Sequence, residues 1–264
     1  MIDYSDAVRN ERAYGCRMEL FDRASSFNDD YLWFYEPLLR AERNRFEASE
    51  IAATLALEPP GRILDAPCGH GRIANLLASD GFWVTGVDVT PLFLERARRD
   101  ALSLGVEVDY RLGDLRDLPV QGPFDAVVCW FTSFGYFDDP DNRRALAEFA
   151  RVLRPGGKLL IETIHHDGFV RGFTPAPAAS VAERGDDSMT DVTSFDPVRG
   201  RVETDRTVRR DGRVRRSHHS IRVPTVPEFD AWLAAAGFSD RRYSNRDGRA
   251  LRHDSWRLVV TATK

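Results

Sequence analysis

Along the chain the spacing of apolar positions changes character twice. The first fifty residues are helical in pattern, with Tyr31, Trp33, Phe34 and Tyr35 close together, and LLRAERNRFEASEIAATLAL continues that period until Pro59, Pro60 and Gly61 stop it. From Arg62 short apolar runs alternate with amphipathic stretches: RILDAP, GRIANLLASDG, FWVTGVDV, PLFLERARRDALSLG and VEVDYRL read as strand, helix, strand, helix, strand. This alternation predicts parallel strands joined by crossover helices. Thr90 before Pro91 marks a helix start, because the hydroxyl can cap and proline suits the first turn. FDAVVCW (124–130) is a fourth strand, Pro140 to Leu153 a helix, RPGG a turn and KLLIETI (158–164) a fifth strand.

After His166 the alternation breaks. Residues 167–187 read as loop, and 188–223 as antiparallel strands in which Asp211-Gly212 is a two-residue turn joining GRVETDRTVRR to RVRRSHHSIRV. That turn sets Asp205 opposite His218 and Thr207 opposite Arg216, and gives Val202, Val208, Ile221 and Val223 the other side of the ribbon. Thr225 with Glu228 forms a capping-box pattern that opens the helix PEFDAWLAAAGF, and SDRRYSN and SWRLVVTATK supply two last strands. The expected organisation is an N-terminal helical cap (1–50), a core (51–166 and 224–264) and an inserted antiparallel lid (167–223).

Composition narrows the class. With 264 residues, 42% hydrophobic and 30% charged, and no apolar run near the ~18 residues of a membrane span, the chain reads as a soluble globular protein with no membrane partner. Neither a basic leader nor an apolar segment opens it, and Cys16, Cys68 and Cys129 cannot build a disulfide framework, so a cytoplasmic location is expected. The net charge of −4 argues against a general nucleic-acid binder. Only Lys158 and Lys264 are lysines, which reads as the codon bias of a GC-rich genome before it reads as phosphate recognition.

The candidate chemistry lies at the end of the first strand, in Asp65-Ala-Pro-Cys-Gly69-His-Gly71, which opens directly into a helix. The two glycines let backbone approach a ligand closely, and a helix start offers free N–H groups. Asp88 ends the second strand nineteen residues after Gly69, where a carboxylate can accept both hydroxyls of a ribose. Glycines and acid alone also fit a dinucleotide. Asp65 separates the two ligands, since its charge would face a pyrophosphate, and at ~4 Å like charges repel by several kcal/mol at an effective dielectric near 20. A sulfonium and an ammonium group are favoured at the same place.

ILDAPCGHGRIA, VTGVDVT, LGDL, FDAVVCWFTSFGYF and RVLRPGGKLLIET resemble, in order and spacing, the successive motifs of class I S-adenosylmethionine-dependent methyltransferases. The resemblance implies a Rossmann-like α/β fold: a seven-stranded, mostly parallel sheet with helices on both faces, its seventh strand antiparallel between the fifth and sixth. It also implies S-adenosyl-L-methionine as cofactor, with Asp65, Ala66, Gly69 and Gly71 at the methionine half, Asp88 at the ribose, Val89 packed on the adenine, and Asp114 with Leu115 at its edge. Cys129 and Trp130 would pass beside the cofactor, while Phe131, Thr132 and Tyr136 face the acceptor. The N-terminal helices and the inserted ribbon are similar to the cap and lid of glycine N-methyltransferase and sugar-amine N,N-dimethyltransferases. In those relatives an aromatic, basic segment closes over the cofactor, a place that Tyr35 and Arg43 would take here, with Arg43 on the methionine carboxylate.

His165 and His166 leave the fifth strand at the edge where open parallel sheets bind ligands, so either is a candidate general base for a hydroxyl acceptor, alongside Tyr136. Eight arginines in residues 199–216 make a ribbon with one packed and one charged face. An aromatic set of Tyr35, Trp130, Phe131, Phe134 and Tyr136 would wall the pocket. The expected function is methyl transfer by in-line displacement to an oxygen or nitrogen of a small molecule, with a place in secondary metabolism and no metal; a homodimer is compatible with it. The alternatives are an RNA or protein methyltransferase, a protein that binds the cofactor without turnover, and, more distantly, a nicotinamide enzyme.

Overall fold

The computed structural model describes residues 26–172 and 178–264; Cys16 and the first part of the expected N-terminal cap lie outside the described residues. Two helices, α1 (Asp29–Tyr35) and α2 (Ala41–Leu55), precede the first strand. Strands β1 (Arg62–Asp65), β2 (Trp83–Asp88), β3 (Asp109–Leu112), β4 (Phe124–Cys129) and β5 (Leu153–Ile164) are joined by α3 (Ala74–Ser79), α4 (Pro91–Leu104) and α5 (Asp139–Val152). A short helix α6 (His166–Gly172) leads to an insertion of four strands, β6 (Ala178–Arg184), β7 (Asp187–Asp196), β8 (Arg201–Arg210) and β9 (Arg213–Arg222). Helix α7 (Val226–Ala235) and strands β10 (Ser239–Ser244) and β11 (Arg257–Thr263) complete the chain.

The seven-stranded sheet has the order β10-β11-β5-β4-β1-β2-β3. Strands β1 to β5 pair in parallel, and β11 lies antiparallel between β5 and β10, as the resemblance implies. Because strand side chains alternate, successive residues feed opposite cores. Leu64, Val127, Leu159 and Val260 pack with Phe149 of α5 and Phe229 of α7, whereas Ile63, Val128, Leu160 and Val259 pack with Ile51 of α2, Leu77 of α3 and Leu94 of α4. Strand order reverses direction at β1 and β4, so their carboxyl ends open a crevice.

Local departures from the sequence reading have physical causes. Strand β5 begins at Leu153, because RPGG is a bulge between two pairings, Phe124 with Leu153 and Ala126 with Lys158. Thr90 occupies the position before α4, yet its side chain makes no capping hydrogen bond. Its backbone N–H instead donates to Asp88 Oδ1 at 2.8 Å. The Thr225–Glu228 capping box forms in full.

The insertion is an antiparallel sheet in the order β6-β7-β8-β9. Strand β6 occupies part of the segment read as loop, and pairs Ala182 with Met189 of β7. Asp211 and Gly212 both take positive φ, 52° and 70°, and set the expected register of Asp205 with His218 and Thr207 with Arg216. The face shared by Val202 and Val208 is not wholly apolar, since it carries a buried arginine, Arg206. Helix α1 closes against this face through Phe34, Met189 and Val208, and through Asp30, which accepts from Arg210 and Arg215. The Asn28 side chain caps α1 by accepting from the N–H groups of Asp30 and Tyr31.

Candidate active site

A cavity of about 310 Å³ lies over the carboxyl ends of β1, β2 and β4, between the sheet, α1 and the inserted ribbon. Asp65 and Gly69 reach it from the first turn, Asp88 and Val89 from the second strand, and Asp114 and Leu115 from the third. Trp130, Phe131, Thr132 and Tyr136 enter it from the loop after β4, and Tyr35 from α1. The folding path thus gathers residues from five segments at one sheet edge.

Asp88 is buried and braces the glycine turn, its Oδ2 accepting from the N–H of Gly69 at 2.9 Å. Gly69 takes φ +56° and would meet nothing if it carried a Cβ, which suits a backbone that faces a ligand. Gly71 does not line the cavity. A Cβ there would lie 2.7 Å from that of Ala97 and closer still to the Tyr110 hydroxyl, so this glycine serves helix–strand packing. Ala66 is wholly buried, its N–H donating to the Val128 carbonyl, and Cys129 is wholly buried in the core.

Asp65 is 2% exposed, and its Oδ2 has no hydrogen-bond partner among the described residues. Burial pushes its carboxyl up to about 7; Arg72 pulls it down and Asp88 pushes it further up. An unsatisfied buried carboxylate oxygen in a cavity wall calls for a cationic or hydrogen-bond-donating ligand. The residues present therefore fit the ammonium and sulfonium of S-adenosylmethionine and disfavour a diphosphate. Asp114 meets its own neighbour: Arg116 forms a two-pronged pair with it and also reaches Asp141.

An arginine that the sequence analysis did not single out, Arg72, reaches the cavity. It lines the cavity, donates to Glu47 Oε2 at 2.6 Å and to Asn44, and its guanidinium sits 4.9 Å from the Phe131 ring centroid. Arg43 stands outside the cavity and pairs with Glu47 Oε1 at 2.8 Å. The Arg43 guanidinium lies 5.5 Å from the Phe131 ring centroid without lining the cavity. Glu47, 2% exposed, collects Arg43, Arg72, Arg246 and the Trp130 indole N–H. Burial raises its carboxyl, but Arg72, Arg43 and Arg246 together bring it down from 4.5 to about 2. This contribution to stability is full above the unfolded carboxyl's range and fades as pH falls toward 2. Glu47→Gln is expected to lower the unfolding free energy by about 3 kcal/mol, since it leaves the buried Arg72 guanidinium short of a counter-charge. Urea denaturation at pH 7 measures it.

The loop after β4 is held in an uncommon shape. Phe131 and Thr132 take φ of 66° and 57°, and Glu162, fully buried, fixes them by accepting from the Phe131 N–H at 3.0 Å while its carbonyl accepts from the Thr132 N–H. Arg257 braces Glu162 with two hydrogen bonds. Phe134 stacks on Phe229 in the core at 5.2 Å and does not wall the cavity. Tyr35, Trp130, Phe131 and Tyr136 do wall it, and Phe27, Tyr31 and Phe93 join them. Burial holds the Tyr31 and Tyr136 hydroxyls well above the usual phenol range, so both are neutral donors.

Neither His165 nor His166 lines the cavity. His165 is buried with Nδ1 at 2.8 Å from the Ser255 carbonyl, and His166 turns to Asp167 and the Phe195 ring. Helix α6 starts at once after β5 and carries both away from the sheet edge. His219 of β9 does line it, a residue that the alternation with Ile221 and Val223 could have revealed. Among the described residues no cluster of three or more His, Cys, Asp and Glu side chains is placed to hold a metal ion, and no helix is long and apolar enough to cross a membrane.

Residues 63–157, which carry this turn and these strand ends, match the family described as a methyltransferase domain. These residues carry a methyltransferase domain. Over 112 residues the chain is 38% identical to the ubiquinone biosynthesis O-methyltransferase of Xanthomonas axonopodis pv. citri, covering 41% of this chain and 46% of that one. The match therefore spans about half the length of that curated relative. In structure the chain is similar to an S-adenosylmethionine-dependent methyltransferase from Clostridium acetobutylicum, with a TM-score of 0.75 at 15% identity over 89% of this chain and 96% of that one. It is also similar to the amino pentose methyltransferase CalS10 of Micromonospora echinaspora, solved with S-adenosylmethionine bound, with a TM-score of 0.64 at 24% identity over 87% and 95%. The residues around this chain's cavity suit S-adenosylmethionine, the molecule bound in that neighbour.

Proposed function

We propose that the protein transfers a methyl group from S-adenosylmethionine to an oxygen or nitrogen of a small molecule. The observation that carries this reading is the unpartnered Asp65 oxygen in a cavity wall completed by Asp88, Gly69 and Arg72. Asp65 would hold the ammonium end, Arg72 the carboxylate, Asp88 the ribose hydroxyls, and Val89 with Leu115 the adenine. When bound, the cofactor supplies a methyl group already activated by a positively charged sulfur.

The chain's own part is then to position, to enclose and to exclude water. The Phe131–Thr132 turn, clamped by Glu162 and Arg257, sets the floor between cofactor and acceptor. Phe27, Tyr31 and Tyr136 form an aromatic roof, tied to the ribbon where Arg206 donates to the Tyr35 hydroxyl at 3.1 Å. A small acceptor fits this enclosed shape better than a polymer does. The arginines Arg201, Arg206 and Arg222 are buried in local pairings and offer no basic track toward the cavity. Calorimetric titration with S-adenosylmethionine and with NAD tests the reading. Binding of the first and not the second is expected, and the reverse would remove the proposal. A screen with labelled methyl donor against cell extract would then find the acceptor.

A further inference from the structure

His219 projects from the face of β9 that pairs with Thr204 of β8, and it lines the cavity on the lid side. Its Nδ1 is buried with no hydrogen-bond partner among the described residues. Three kinds of group surround it. Arg206 of β8 stands on the same face and pairs with Asp191 of β7 at 2.7 Å, Tyr35 and Tyr136 approach from α1 and the β4 loop, and His218 and Asp205 lie on the opposite face. Burial, then Arg206 and more weakly His218, push the imidazole down to about 4, against the pull of Asp191 and Asp205. The ring is thus neutral at physiological pH and keeps one nitrogen lone pair for a donor.

The charges around the cavity discriminate between acceptors. Its lining carboxylates, Asp65, Asp88 and Asp114, all stand at the ends of β1 to β3, on the cofactor side. Among the described residues the lid contributes no carboxylate to the lining, so a protonated amine would find no counter-charge there. The facing wall is aromatic, with the Phe27 ring edge-on to Tyr31, Phe93 and Tyr136 at 5.3, 5.9 and 5.8 Å between centroids. Resting on the methyl-transfer reading above, we propose that the acceptor is a hydroxyl on a planar aromatic ring and that His219 receives its proton. A lone pair of the acceptor oxygen forms the new bond to the methyl carbon. The carbon–sulfur bond breaks with its electron pair going to sulfur, and the O–H bond gives its proton to the free imidazole nitrogen. An aryl methyl ether, a neutral thioether and an imidazolium result. The hydroxyl proton becomes far more acidic as the oxygen–carbon bond forms, so a weakly basic imidazole suffices.

Binding is read on the full chain saturated with S-adenosylhomocysteine and methylation with S-adenosylmethionine, both at about pH 6, where the probe 4-nitrophenol keeps most of its hydroxyl proton. The His219 imidazole nitrogen resonances of the unaltered protein are expected to shift on adding 4-nitrophenol. His219→Ala is expected to weaken 4-nitrophenol binding about tenfold. His219→Gln, which can accept a hydrogen bond but not a proton, is expected to keep binding within about threefold and to slow methylation of the phenol by about a hundredfold or more. Unmoved resonances, unweakened binding by the alanine variant, or no 4-nitrophenol binding at millimolar concentration would each overturn the inference. So would methylation of an alkylamine at a rate indifferent to position 219. Failure to bind S-adenosylhomocysteine would instead remove the methyl-transfer reading, which keeps the two failures distinct.

Discussion

Replacing Asp88 by alanine is expected to weaken binding of both S-adenosylmethionine and its demethylated product by about a hundredfold or more. Two effects add. The variant loses a buried carboxylate placed for ribose hydroxyls, and it frees the N–H groups of Gly69 and Thr90, which Oδ2 and Oδ1 now accept at 2.9 and 2.8 Å. The glycine turn that faces the methionine end then loses its brace, so even ligand groups that never touch Asp88 bind a looser surface. Asp88→Asn keeps one acceptor oxygen and is expected to fall between. Calorimetry reads the affinities, and unchanged binding in the alanine variant would take Asp88 out of the cofactor site.

Asp65→Asn is expected to produce opposite changes in stability and in binding. Burial raises this carboxyl from 3.8 to about 7. Between those values the folded protein holds a proton that the unfolded chain has lost, so ligand-free stability falls as pH rises toward 7 and then levels off. The asparagine variant has no such loss, and at pH 8 its ligand-free form is expected to be more stable by an amount on the order of a few kcal/mol. Cofactor binding runs the other way. A cationic ligand favours ionised Asp65, so affinity for S-adenosylmethionine is expected to rise by up to about tenfold per pH unit as pH approaches 7, then to flatten, with release of a proton. In Asp65→Asn the affinity drops by about ten- to a hundredfold and this pH slope disappears. Thermal unfolding without ligand and calorimetry across pH 5.5 to 8.5 check both halves. A variant that is less stable at pH 8 without ligand would contradict the assigned origin of the shift.

The features legible along the chain were those set by neighbours in sequence. Parallel strands, crossover helices, the capping box and the Asp211-Gly212 hairpin register follow from local period and turn chemistry. So does one wall of the cavity, because Asp65, Gly69 and Asp88 stand at strand ends whose position the alternation defines. Residues whose role depends on where a side chain turns were harder to read. Arg43 and Arg72 both reach Glu47, and only Arg72 passes into the cavity. Histidines at the end of β5 had the right address in the topology, but α6 begins at once and carries them off. Strand β6 was hidden because its small, mostly exposed residues lack a strong period and take their pairing from β7.

What the sequence by itself determined is the strands of the sheet and the carboxylates at their ends, since backbone periodicity and the chemistry of a glycine turn act within a few residues. What only the tertiary structure decided is the facing wall of the cavity. There α1, the β4 loop and β9 contribute Tyr31, Tyr136 and His219 from segments up to 188 residues apart in number. No local rule aligns such segments; their side chains meet because the inserted ribbon and the first helix bury a shared face and tie it with Asp30, Arg206 and their partners.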